Sequence, residues 1–153
     1  MTESMRINDR EIRLVQHSTE KNWLKELPSQ NWLCILCMEE TPRRYLDEVI
    51  PKVITQDVCY VCTIGAQCEF VHDLFDEEIC YRETEEPPLY LPKHDIMTTW
   101  HNDFDEGIWF AIYATYDDAV EIKTVIILDM SGGKEQARIR SVLSGLENES
   151  LNT

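Results

Sequence analysis

Basic side chains are scarce in this sequence of 153 residues, which has 14 Lys and Arg against 29 Asp and Glu. The net charge of −15 excludes general binding of nucleic acid, which needs a basic surface, and it opposes adhesion to anionic membranes. Long apolar runs are also lacking, since none approaches the roughly 18 residues that span a bilayer. Residues 1–10 are polar and do not resemble a signal peptide, so we expect a cytoplasmic protein without membrane contact.

The six cysteines include two closely spaced pairs, Cys34-x-x-Cys37 and Cys59-x-x-Cys62. Two such pairs can form a zinc site, and one can act as a redox pair. Both pairs lie within predicted strands, however, where residues i and i+3 point to opposite faces, and neither has the turn that a zinc knuckle needs. We therefore expect thiols that pack in the core of a protein in a reducing compartment, with no metal and no cofactor.

Apolar runs alternate with stretches of helical periodicity in the first half of the chain. Residues 31–38 and 58–64 are continuous apolar runs of strand length, typical of strands buried on both faces. A helix kinked or shortened by Pro51 is predicted between them, and a second follows Gly65. This order predicts βαβ units in a three-layer α/β sandwich, Rossmann-like or flavodoxin-like, with a mostly parallel sheet of about four or five strands.

The second half of the chain is less regular. Residues 95–99 and 120–129 are predicted strands, and a last helix begins after Gly133. Asp103 is positioned to cap a helix, although a strand over residues 108–114 is a rival interpretation. We expect three parts of the chain. Residues 1–30 form an amphipathic N-terminal extension packed on the core, residues 31–147 form a single α/β domain, and residues 148–153 form a frayed tail.

Negative charge is concentrated in the middle of the chain. Residues 57–121 carry 16 Asp and Glu but only Arg82 and Lys93, a net charge of −14. Ordinary surfaces mix both signs, whereas a region of one sign attracts partners of the other. The uneven charge has three possible explanations. The carboxylates keep the protein soluble and begin helices, they form a surface for a basic partner, or they form a cation-binding cleft. The candidates for partner binding are Glu69, Asp73, Asp76, Glu77, Glu78, Asp103, Asp105 and Glu106.

Two glycine turns are expected at the carboxyl edge of the sheet, where α/β domains bind ligands. Gly65 opens the second helix, whose N-terminal amides could hold an anion. Ser131-Gly-Gly-Lys134 resembles part of a phosphate-binding loop. Neither turn has the glycine spacing of a complete nucleotide-binding motif, so we interpret both as tight turns.

Polar side chains that could carry chemistry fall in two segments. Cys68 and His72 are four residues apart and share a helix face, while His101 and Asp103 follow the third predicted strand. With Cys68, the two histidines could form a thiol–imidazole nucleophile or a metal site. Alternatively, they are structural residues that fix the loop onto the helix, or they recognise a partner. No complete catalytic motif is present, so the catalytic residues stay unassigned.

The same segments resemble a family of small uncharacterised bacterial α/β domains. The likeness rests on Gly65-x-x-Cys68-Glu69-x-x-His72-Asp73 and on the Thr-Thr-Trp-His segment at residues 98–101, and it spans roughly residues 30–130. No activity is known for that family, so the resemblance implies a single α/β domain and no mechanism. It directs attention to Glu69, His72, Asp73, Trp100 and His101.

Two functions from different classes remain, together with a third possibility, an accessory subunit of a larger bacterial system that docks through its acidic face, which the sequence does not separate from the first. The first is a small acidic cytoplasmic protein that binds and masks a basic protein partner, such as a toxin or nuclease, as immunity proteins and inhibitors do. The alternative is a small-ligand or nucleotide-binding domain, or an enzyme, with its site at the carboxyl edge around His72 and His101. We favour the first, because the charge is uneven and no catalytic motif is complete.

Overall fold

The apolar runs of the sequence form the centre of the sheet. A computed structural model describes residues 4–151 and contains, within them, a six-stranded sheet and four α-helices. In chain order the elements are β1 (Ser4–Ile7), β2 (Arg10–Gln16), β3 (Trp32–Met38), α1 (Arg43–Thr55), β4 (Tyr60–Gly65), α2 (Cys68–Thr84), β5 (Met97–His101), α3 (Phe104–Trp109), β6 (Thr124–Asp129) and α4 (Gln136–Leu151).

The sheet is mostly parallel, with the strand order β1-β2-β6-β3-β4-β5. Only β1 pairs with its neighbour in the antiparallel sense. The α/β class and the mostly parallel sheet agree with the prediction, whereas the count of four or five strands was too low. The order also differs from the two common doubly wound orders, because β6 inserts between β2 and β3.

The extra strands come from the segment predicted as an N-terminal extension. Residues 4–16 of this segment form the strands β1 and β2. Ile12 and Val15 have the spacing of a helix face, but in β2 they point to opposite faces of the sheet and enter different core clusters. Arg10 ties this strand to the chain after α3 by donating to the carbonyl oxygen of Ala111 (2.9 Å) and to Thr115 Oγ1 (2.8 Å).

Helices cover both faces of the sheet. Trp32, Cys34 and Leu36 of β3 pack with α1 and α2 in one core cluster, and the alternate residues of β3 pack with α3 and α4 in the other. All four residues of the two cysteine pairs are buried within these clusters, as expected for packing residues. Burial raises the pKa of Cys59 and of Cys62 to about 12, so both remain thiols at neutral pH.

Three features of the helices can be compared with the predictions. Pro51 lies inside α1 without ending it, since the helix continues to Thr55. Asp103 caps α3 as predicted, its Oδ1 accepting the N–H of Glu106 at 3.0 Å, and a π-helical turn over Phe110–Ala114 replaces the rival strand. The tail predicted to fray from residue 148 is helical as far as Leu151, and residues 152–153 lie outside the described residues.

The strand order determines where neighbouring chain segments separate at the carboxyl edge of the sheet. From β3 the chain passes over one face through α1 and α2 to reach β5, and it returns over the other face through α3 to β6. The segment that follows β6 therefore diverges from those that follow both of its neighbours, β2 and β3, and the segments that follow β4 and β5 also diverge. Such points of divergence are where parallel α/β sheets form ligand crevices. Within residues 4–151, no helix combines the length and apolarity needed to cross a membrane.

Candidate functional site

His72 lies in a polar cluster between α2 and β5. Its Nδ1 is 2.9 Å from Asp73 Oδ1, and its Nε2 is 3.5 Å from Asp76 Oδ2 and 3.1 Å from Thr98 Oγ1. The Thr98 hydroxyl donates to Asp76 Oδ1 at 2.7 Å. These contacts link α2 to β5, the outermost strand. They agree with the structural role that was one of the alternatives for His72.

His101 lies on the opposite face of the same strand. Its Nε2 is 3.0 Å from Thr99 Oγ1, and its ring is 4.7 Å from that of Phe110. Because neighbouring strand residues point to opposite faces, Thr98 contacts α2 while Thr99 and His101 face the other core cluster. The structure therefore does not bring His72 and His101 together in one site.

Cys68 is also separate from the two histidines. Its thiol is buried and lies 3.9 Å from Asn102 Oδ1, and none of the hydrogen bonds among residues 4–151 joins it to His72 or His101. A nucleophile and its base must lie within hydrogen-bond reach, although apo geometry is often loose. The predicted thiol–imidazole arrangement is not assembled. The described part of the chain also contains no group of three acidic, Cys or His side chains able to hold a metal ion.

The predicted acidic residues separate into two groups. Several have structural partners: Glu78 pairs with Arg82 (3.3 Å), Asp103 caps α3 and Asp105 pairs with Arg138 (3.4 Å). The others are exposed and, among the described residues, form no ion pair with Lys or Arg, although Asp73 and Asp76 contact His72; they are Glu69, Asp73, Asp76, Glu77 and Glu106. Four of these five lie on α2, so the uncompensated charge is concentrated on one helix.

Exposed apolar side chains occur in the same part of the chain. All eight large hydrophobic residues exposed among the described residues fall between residues 70 and 116. They include Phe70 on α2 (48% exposed), Met97 (48%) and Trp100 (37%) on β5, and Trp109 on α3 (46%). The helical periodicity predicts Phe70 and Trp109 on buried faces. Instead the buried face of α2 is formed by Val71, Leu74 and Phe75, with Phe70 outside it.

β5 also has an unpaired backbone edge. It pairs with β4 on one side, and no strand of residues 4–151 pairs with it on the other. The N–H of Met97 donates to the Cys59 carbonyl, so alternate residues face β4, whereas Thr98 and Trp100 direct their backbone groups outward. An open edge accepts an extended segment of another chain. Exposed apolar side chains, carboxylates and a free strand edge therefore occur on α2 and β5, two elements that pack against each other.

Two histidines are withdrawn from water. His101 has a pKa below the ordinary value because of burial, a shift that Glu106 partly offsets. The side chain of His17 is 8% exposed, between the rings of Trp23 and Tyr45, and burial likewise lowers its pKa. In both residues the folded protein favours the neutral ring.

These lowered pKa values predict that acidification destabilises the protein. Below pH about 6.5, the ordinary histidine value, the unfolded chain takes up protons more readily than the folded chain, so the free energy of unfolding falls with pH. Urea unfolding at pH 7.5 and pH 5.5 should show this decrease, which we expect to be on the order of 1 kcal/mol. The doubly substituted protein His17→Gln/His101→Gln should show a smaller decrease. An equal decrease in that variant would assign the effect to other groups.

Together the fold and the exposed surface define a mixed α/β domain with a mostly parallel sheet. The chain belongs to the family described as Domain of unknown function (DUF7684), whose family model matches residues 10–145. This confirms the predicted resemblance to a domain family without assigned activity, and the match begins at β2, well before residue 30. No curated protein and no solved structure matches the chain.

Proposed function

We propose that the chain is a small acidic interaction protein, of immunity or inhibitor type, that binds and masks a basic protein partner. The binding surface consists of Glu69, Phe70, Asp73, Asp76 and Glu77 on α2 with Met97 and Trp100 on β5, and is named here the α2–β5 surface. One observation carries the proposal: carboxylates for which the described residues provide no Lys or Arg partner and exposed large apolar side chains occur on α2 and β5, which pack together, and β5 has an open edge.

Each component of this surface supports a different part of binding. Carboxylates of one sign accelerate the encounter with a basic partner and reject acidic competitors. Trp, Phe and Met supply apolar contact area and are enriched in protein interfaces. The outward backbone groups of Thr98 and Trp100 can pair with an extended segment. A toxin or nuclease with a basic surface has the chemistry that fits.

The proposal also includes a cellular location and a fold class. All six cysteines are unpaired, which supports a reducing, cytoplasmic location. Helices on both faces of a mostly parallel sheet support a three-layer arrangement related to the Rossmann-like class, although the strand order is different. The alternative, a ligand or enzyme site around His72 and His101, has weaker support, because the two rings lie on opposite faces of β5.

Charge reversal on α2 tests the proposal. The tagged protein is used to capture partners from a lysate of its own host, with washes of rising salt concentration. We expect a basic protein that elutes as salt rises, and we expect Asp73→Lys/Glu77→Lys to lose it, with association slowed by about 10–1000-fold because steering is lost. Both residues are exposed, and the only contact that the change removes among the described residues of this cluster is the one between Asp73 and His72, so the variant should fold.

A matched control separates local charge from total charge. Glu20 and Glu149 are exposed and lie outside α2 and β5, so Glu20→Lys/Glu149→Lys makes the same change in net charge elsewhere. The control should retain the partner. Equal retention by all three proteins, or binding that does not respond to salt, would contradict a function based on the α2–β5 surface.

A further inference from the structure

A cavity of about 760 Å³ lies at the carboxyl edge, between the end of β2, residues 17–26 and the start of α4. Its volume is in the range of small-molecule sites. The cavity occupies the position where the chain leaves β2 toward one face of the sheet and β6 toward the other. Crevices at such positions are the usual ligand sites of parallel α/β sheets.

The charge of this cavity is opposite to that of the whole protein. Its lining includes Lys21, Lys25 and Arg140, and the only carboxylate among the lining residues is Glu26. The remaining polar groups are neutral hydrogen-bonding side chains such as Ser18 and Gln136, together with the imidazole of His17. In a chain with a net charge of −15, Lys21 and Lys25 make this cavity a local site for negative charge.

Hydrogen bonds fix the two turns that border the cavity. Ser18 Oγ accepts the N–H groups of Glu20 (3.1 Å) and Lys21 (3.0 Å), which holds the turn that carries Lys21. On the other side, Asp129 Oδ1 accepts the N–H (2.8 Å) and the hydroxyl (2.6 Å) of Ser131. Both walls are therefore formed before a ligand arrives, which lowers the entropy cost of binding.

The turn between β6 and α4 leaves room for a ligand to approach the backbone. Gly132 lines the cavity with a φ of +70°, and a methyl group placed on it would meet no atom within 4 Å. Ser131 Oγ accepts the N–H of Glu135 at 3.0 Å, which positions the start of the helix. The N-terminus of α4 faces the same edge and adds partial positive charge to that of the side chains.

We propose that this cavity binds a small polyanion, a molecule with two or more phosphate or carboxylate groups. The size of the cavity and the acidic remainder of the protein favour a compact ligand, since an extended polyanion would be repelled by the net charge of −15. The site is separate from the α2–β5 surface, because no residue of α2 or β5 lines it. The protein therefore has two binding surfaces of opposite charge.

Titration of the full ¹⁵N-labelled chain tests this site, with inorganic pyrophosphate and citrate as the probes. We expect the amide signals of Lys21, Gly132 and Gln136 to shift and saturate below about 10 mM, corresponding to dissociation constants near or below the millimolar range. Stronger binding of pyrophosphate would identify phosphate as the preferred group, and stronger binding of citrate would identify carboxylate. Either result supports a polyanion site.

Charge reversal again supplies the matched comparison. Lys21→Glu/Lys25→Glu should weaken binding by at least about tenfold, because two attractive charges become repulsive. Lys93→Glu/Lys123→Glu makes the same change at two lysines outside the cavity and should leave binding nearly unchanged. Absence of saturating shifts with both probes, or equal weakening in both variants, would overturn the proposal.

Discussion

Replacing Gly65 with alanine is expected to lower the free energy of unfolding by about 2–5 kcal/mol. Gly65 ends β4 with a φ of +88°, a backbone conformation that side-chain-bearing residues rarely adopt. A Cβ at this position would lie 2.4 Å from the carbonyl oxygen of Met38, a backbone atom of the neighbouring strand that cannot rotate away. Strain in the backbone and steric overlap therefore act together. Urea unfolding measures the loss.

Gly132→Ala is the matched control for this prediction. Gly132 also has a positive φ, +70°, but the space around it is open. Only the backbone strain remains in that variant, so we expect a loss of about 1–2 kcal/mol. If Gly65→Ala were no more destabilising than Gly132→Ala, close contact between β3 and β4 would not be the reason for glycine at position 65. The comparison thus separates conformation from packing.

The centre of the fold could be predicted from the sequence because its signals are local. Continuous apolar runs indicate β3 and β4, and Asp103 has a side chain that caps the following helix. β1 and β2 were missed because their signals are weak: only Ile7, Ile12 and Val15 are buried in them, at a spacing that also fits a helix. The insertion of β6 beside β2 has no local signal, because strand order depends on contacts across the whole chain.

The candidate surfaces show the same difference. The carboxylates of α2 could be identified from the uneven charge of residues 57–121, because residues that are close along one helix are also close in the folded protein. The separation of His72 from His101 depends on which face of β5 receives α2, which periodicity alone does not determine. The basic cavity combines residues 17–26 with residues 132–140, which are adjacent only because β2 and β6 pair. No pattern in the sequence distinguishes its lysines from others.

Trp100→Ala is expected to weaken binding of the proposed basic partner by roughly 30–1000-fold, corresponding to about 2–4 kcal/mol, in a protein that is less stable but still folded. Trp100 lies on the open edge strand, is 37% exposed and belongs to the strand that packs against α2 and its carboxylates. A tryptophan that becomes fully covered in a complex contributes more than a charged residue at the rim. Calorimetric titration with the partner identified by capture measures the change, and urea unfolding checks the fold.

Tyr116→Ala provides the control, because Tyr116 is the most exposed aromatic residue described (76%) and lies outside α2 and β5. It should leave affinity nearly unchanged. The two kinds of variant should also differ in kinetics: loss of charge at Asp73 and Glu77 slows association, whereas loss of Trp100 accelerates dissociation. If Trp100→Ala and Tyr116→Ala had equal, small effects, the open edge of β5 would not be part of the interface, and charge on α2 alone would account for binding.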